Sequence, residues 1–370
     1  MKLRLLCPLL FVAGSVCAQG PVVTVDEAAR FLAGLPVEGA LAPLMTTPGW
    51  QEQAREMDEA WTKKRAQQIL PIRDWMWVNA EPSFRSTATM YYMFAGPDFL
   101  YANIFFPYAS TYVLAGLEPV GQVPDLTRLS PEELAADLTA LRGSMSTILR
   151  FQYFITKDMR AEFGQGRIVG TLPILYVFLA RLGYRVLEVT PMTSPAEGVK
   201  ITFQDPTRRE VQTLFYFKTD LSGNRSTPFL KWCAARGPGV SLLKAASYLM
   251  HSDGFNGVRN FLLENSRVIV QDDSGIPLRG FPKGWSVQCF GRYVPHREMF
   301  AKYFQPDLAA VFTNNPPSEL GFAFGYHWQK DRGLLMLARP ERAIPPGLPP
   351  VMKALPPPPE EQPQKLRIRK

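Results

Sequence analysis

The chain has 370 residues, 46% of them apolar, enough to bury a large core in one big domain or two intimate ones. Its net charge of +8 is spread along the chain and partly gathered at the C-terminal end, so no concentrated basic patch points to nucleic acid.

Residues 1–18 read as an export signal. Lys2 and Arg4 give a positive start, "LLCPLLFVAG" a short apolar run, and "VCA" before Gln19 a small-residue cleavage site. Lipid attachment at Cys17 is the weaker reading, because Val16 is larger than the residue such sites favour. Cleavage removes two basic residues, so +8 falls to +6. No later stretch is long enough to span a membrane, since Arg181 interrupts "TLPILYVFLARLGY". These features predict an exported protein, periplasmic or secreted, with no transmembrane segment after signal removal.

Residues 19–85 predict a helical N-terminal region packed on the body. "TVDEAARFLAG" has Thr24 as cap, acids in the first turn and Gly34 as stop. A second helix starts at Thr47 and Pro48, with Trp50, Ala54, Met57 and Trp61 at helical spacing. Pro71 ends or kinks it.

An α/β body is expected over 86–342: a mixed sheet with helices on its faces. In "YYMFAGPDFLYANIFFPYASTYVLAGLEP" a short aromatic strand turns at Gly-Pro-Asp into a two-turn helix, which Pro107 closes before a second strand. That is a short βαβ unit with parallel strands, and Asp98 stands where a helix cap belongs. A helix opens at Ser130 and Pro131, and another ends at Gly183 before a strand at 185–189. "VKITFQD" and "VQTLFYFK" alternate and form an antiparallel hairpin across "PTRRE". The stretch near 239–250 reads as a covering helix, and "GFNGVRNFLLENSRVIVQDD" as a helix leading into a strand at 267–270. Residues 343–370, with proline at high density, predict a disordered or stiffly extended basic tail.

Candidate site residues gather around acids. Asp98 at a strand-to-helix corner and Glu118 after the second strand echo the placing of groups in nucleotide-binding sheets, where the ligand's phosphate meets a helix N-terminus and an acid holds a ribose. No G-x-G-x-x-G accompanies them, and Asp98 would repel a phosphate, so no cofactor is expected. Asp272 and Asp273 in "QDDSGIP" are either ordinary turn residues closing a hairpin or, if their strand is parallel and central, an acid/base pair. "SLLK" (Ser241 to Lys244) matches S-x-x-K but lacks the downstream element that serine chemistry of that class needs.

His251, beside Asp253, is the histidine best placed for chemistry; His296 is isolated, and His327 falls in "FAFGYHW", which reads as a strand. No histidine or cysteine spacing suggests a metal site. Lys157 and Asp158 in "TKDM" read as a solvated helix turn. Cys233 and Cys289, the two cysteines left after signal removal, either form a disulfide in an oxidising compartment or serve as small buried hydrophobes.

The combination of "GPDFLYANIFFP", "TYVLAGLEP", "KAASYLMH" and "QDDSGIP" resembles exported bacterial proteins of unassigned function, and that resemblance implies no mechanism. The expectation is therefore a non-catalytic binder of an envelope or small-molecule ligand. Alternatives are a hydrolase using Asp98, Asp272 or Asp273, with His251, and a structural envelope protein.

Overall fold

The computed structural model describes residues 22–81, 89–151, 153, 166–295, 300–314, 316–327 and 329–341. The signal at 1–18, the tail at 343–370, "TKDM" and His296 lie outside these residues.

Local capping sets the N-terminal helices. In α1 (Val25–Leu32) the Thr24 hydroxyl accepts the Glu27 N–H at 3.1 Å, and Gly34 turns the chain away at φ +67. Helix α2 (Pro48–Lys64) starts on Thr47 and buries Trp50, Gln53, Met57 and Lys64. The break expected at Pro71 is a π-helical turn, Arg65–Ile69, with Pro71 in the first turn of α3 (Leu70–Asn79). That position needs no N–H from proline, so the break falls just before it.

The body follows as β1 (Thr89–Tyr92), α4 (Phe99–Phe105), β2 (Thr111–Gly116), α5 (Pro131–Phe151), α6 (Leu172–Arg181), β3 (Arg185–Met192), β4 (Gly198–Gln204), β5 (Val211–Lys218), α7 (Thr227–Ala234), β6 (Gly239–Leu243), α8 (Asn256–Asn265), β7 (Ser266–Gln271), β8 (Trp285–Gly291), α9 (Pro306–Asn314) and β9 (Leu334–Pro340). The strands form one mixed nine-stranded sheet in the order β3-β4-β5-β2-β1-β6-β7-β9-β8. Its centre, β5-β2-β1-β6-β7, is parallel throughout. The expected hairpin is β4–β5, with Ile201 opposite Leu214, and β9 and β8 close the other side antiparallel.

Among the parallel strands, the chain runs outward from β1 through β2 to β5, then returns to β6 on the other side of β1. The gap between β1 and β6 is thus the point where the winding reverses, and ligands of open α/β sheets settle beyond the carboxyl ends of such strands. Helix cover differs on the two faces. Met90 and Tyr92 of β1 point into the core built by α1 to α6, while Tyr91 faces the core built with α7 and α8.

Two sequence expectations are corrected, and the choice left open for the cysteines is decided. The stretch near 239–250 begins with strand β6, not a helix; all five strand residues are buried, so neither face alternates with solvent. "FAFGYHW" is no strand beyond a single bridge between Phe324 and His327, because Gly325 reverses the chain at φ +70. Cys233 and Cys289 are both free and form no disulfide: each is buried in its own apolar cluster, Cys233 on α7 and Cys289 on the edge strand β8. Burial pushes the Cys289 thiol up to about 11 and raises Cys233 as well.

Candidate functional site

Asp98 leaves β1 through a tight corner and does two jobs with one carboxylate. Its Oδ1 accepts the Tyr101 N–H at 3.1 Å, which caps α4. Its Oδ2 accepts the Tyr92 hydroxyl at 2.9 Å and lies 2.9 Å from Lys244 Nζ. Lys244 is the first residue past β6, so this ion pair joins the two loops that flank the reversal of winding. Both side chains are almost wholly buried, 1% and 3% exposed.

The pair sits among further polar groups. Lys244 Nζ lies 3.9 Å from the centre of the Tyr101 ring, and the Tyr101 hydroxyl donates to Gln68 at 3.4 Å. Burial pulls the Lys244 ammonium down while Asp98 opposes that shift. From α2, Lys64 donates to the Ile148 carbonyl at 3.0 Å, and burial followed by the nearby Lys244 charge lowers it to about 7. Lys64 and Gln68 come from either side of the π turn's start, and π turns recur at functional positions.

Backbone strain collects at the same place. Five described residues other than glycine have positive φ: Phe94 in the β1 loop, Ala245, Ser247 and Tyr248 in the β6 loop, and Arg209 in the hairpin turn. Four of the five therefore flank the winding reversal, and such strain persists only where surrounding contacts impose it. Asp272 Oδ2 accepts the Ala245 N–H at 2.9 Å, and Asp272 Oδ1 accepts both the N–H and the hydroxyl of Ser274. The Ser274 hydroxyl in turn takes the Ala246 N–H at 2.7 Å. Tyr248 donates to Asp273 at 2.7 Å, and Tyr326 accepts the Ser247 N–H at 3.1 Å while donating to the Ala245 carbonyl at 3.0 Å. Gly325 packs so tightly on Asp272 that a side chain there would overlap the carboxylate.

Asp272 and Asp273 are thus not turn residues of a hairpin. Strand β7 pairs with β6 and β9, not with β8, and the acids are fully buried at its carboxyl end. Burial raises both; Asp273, with the Asp272 charge beside it, is pushed up to about 7. The Tyr248 ring is stacked between Tyr303 (centroids 4.9 Å, 0°) and Tyr326 (6.3 Å, 6°). His251 meets Tyr248 and Tyr303 edge-on, and burial lowers it to about 4, against a hydrogen bond with the Asp273 backbone.

Glu118 is brought near as well, but on the next strand over. Its carboxylate lies against Gly96 of the β1 loop and within 3.5 Å of the Tyr216 hydroxyl. A side chain on Gly116 would come within 2.8 Å of the Gly96 Cα, so the β1 loop is packed directly onto the end of β2. Glu118 thus follows the end of β2 and Asp98 caps α4, the latter already matched by Lys244.

Of the residues expected from sequence, Asp98, Asp272, Asp273 and His251 surround the β6 loop, with Glu118 at its far rim. Lys244, Lys64, Tyr248 and Tyr326 were not expected there. Only Lys244 left a trace in the sequence, as the end of S-x-x-K. Ser241 is no nucleophile: residues three apart in a strand face opposite ways, and its hydroxyl is buried 2.7 Å from that of Ser266. Ser247 is exposed, yet its hydroxyl contacts the Tyr326 phenol, whose pKa burial raises, so that contact supplies no base. Two cavities, one beside Val25 and Tyr176 and one beside Tyr293 and Phe312, share no residue with this cluster.

Compared with protein-family models, curated proteins and solved structures, the chain matches none. Among the described residues, no helix is long and apolar enough to cross a membrane.

Proposed function

We propose that this is an exported protein that binds a small ligand of the cell envelope, without turning it over, at the mouth between the β1 and β6 loops. One observation carries the reading: four of the five described left-handed non-glycine residues lie in the two loops that a buried ion pair joins across that gap. Strain and buried charge both lower stability, and both are common where a binding surface is held in a preset shape. Phe94, Ala245, Ser247 and Tyr326 keep part of their surface at this mouth and would meet the ligand. The export reading rests on the pattern of residues 1–18.

The test is a thermal-shift screen of envelope extracts and small-molecule libraries against wild type and Ser247→Trp. Ser247 is exposed, so the larger ring should fill the mouth and leave the core untouched. A compound that raises the melting temperature of wild type and not of the variant supports the site. Equal shifts in both would place the ligand elsewhere.

A further inference from the structure

The loop 244–248 is tied down by the two acids that follow β7. Of its three left-handed residues, Ala245 is fixed through its N–H to Asp272, and Tyr248 through its hydroxyl to Asp273. Ser274, itself oriented by Asp272, holds Ala246 between them. Ser247 is anchored on Tyr326, which also holds the Ala245 carbonyl, and Lys244 on Asp98. A strained loop thus depends on two adjacent carboxyl groups that are 0% and 2% exposed.

We infer that the Asp272–Asp273 pair is a proton-operated latch: with a proton on the pair the 244–248 loop stays shut over the winding reversal, and loss of that proton releases it. This is regulation of the proposed binding mouth, but the loop movement itself needs no ligand and stands apart from that reading.

Two buried carboxylates side by side cannot both ionise cheaply, since each lacks water and repels the other. Asp272 has three hydrogen bonds to share its charge, whereas the Asp273 carboxylate has the Tyr248 hydroxyl. Asp273 is accordingly the member that keeps the proton, up to about 7.

The groups facing the pair do not take over that role. From β6, Lys244 is matched by Asp98. Tyr248 and Tyr326 are raised phenols, and Tyr293 is pushed up to about 12, so all three stay neutral through this range. His251 titrates near 4, with Arg259, Arg279 and Asp307 acting on it from beyond. Gln305 contributes only an N–H to the Asp273 carbonyl, at 3.0 Å. Lys64 titrates near 7 too, but it faces Lys244 and Asp98 from α2.

In an opened loop Asp273 would meet water and recover an ordinary carboxyl pKa. Each pH unit between the ordinary value of 3.8 and about 7 then favours the open form by up to about tenfold, because opening releases one proton there; above about 7 neither form holds that proton and the dependence levels off. Amide hydrogen exchange on the full chain reads this directly, with protection at 244–250 followed from about pH 5.5 to about 8.5 and corrected for the intrinsic rate. Wild type should lose about ten- to thirtyfold protection across that span, and Asp273→Asn, which cannot ionise, should show a flat profile. Identical slopes in the two proteins, or constant protection in wild type, would overturn the latch. Should the variant fail to fold, infrared spectroscopy of wild type decides. A protonated-carboxyl band present on the acid side and lost near neutrality supports the latch, and its absence on the acid side sinks it.

Discussion

The two ends of the parallel strands solve the problem of buried polar groups differently. At the amino end, Asn103 donates to the hydroxyls of Tyr112 (3.1 Å) and Tyr184 (2.8 Å), Tyr112 donates to the Phe106 carbonyl at 2.7 Å, and Gln212 donates to the Ala109 carbonyl at 2.7 Å. These are neutral amides and phenols, whose burial costs far less than that of charges even though the Asn103 and Gln212 side-chain oxygens have no hydrogen-bond partner. At the carboxyl end, Asp98, Lys244, Lys64, Asp272 and Asp273 are all buried, and the backbone between them is strained. Holding a sheet together requires the first arrangement. The second costs stability that the fold does not demand, which is why function is assigned to that end.

Removing one charge should give the largest contrast. Lys244→Ala leaves Asp98 buried without its cation and should cost ~3–5 kcal/mol in urea unfolding, whereas Asn103→Ala should cost ~1–3 kcal/mol. Equal losses would erase the distinction between the ends. Asp98→Asn sharpens it: asparagine caps a helix about as well as aspartate, so a mere cap predicts almost no change. With Lys244 left unpaired, a loss well above that is expected.

The next effect is a slope with pH. Lys64 is charged up to about 10.5 in the unfolded chain but only to about 7 in the fold. The folded form therefore binds fewer protons between those values, and this group makes stability rise with pH across that window. Lys64→Met should stabilise most at or below about pH 7, with the gain shrinking toward 10.5, as melts at a series of pH values would show. Tyr112→Phe at the amino end should produce the smallest effect, about 1 kcal/mol, with no comparable slope below pH 9 or so. A pH-dependent loss there would mean that the amino end is not the neutral network described above.

What the sequence disclosed follows the range of the interactions. Thr24, Thr47, Ser130 and Asp98 were legible as caps because a cap and the N–H that donates to it lie within one turn. The β1–α4–β2 unit and the β4–β5 hairpin were legible because their periodicity and turn residues are local. Strand β6 was not, since five residues buried on both faces carry no alternation. With β6 hidden, Lys244 could not be set beside Asp98, and Asp98 kept only half its role. The choice between turn and site at Asp272 and Asp273 depended on whether β7 was central, which only its pairing with β6 and β9 decides.

The π turn at Arg65–Ile69 has a bearing on how the N-terminal helices tolerate change. There the Leu70 N–H reaches back to the Arg65 carbonyl, one residue further than in an α-helix. The turn thus absorbs one residue's worth of rotation, about 100°, and the stripe of Trp50 and Met57 stays in phase with that of Ile72 and Met76. The segment behaves as a spacer that can shed a residue by reverting to an ordinary α-helix, turning neither stripe out of the core. The same loss within α2 would have no such slack to draw on and would swing one stripe toward water.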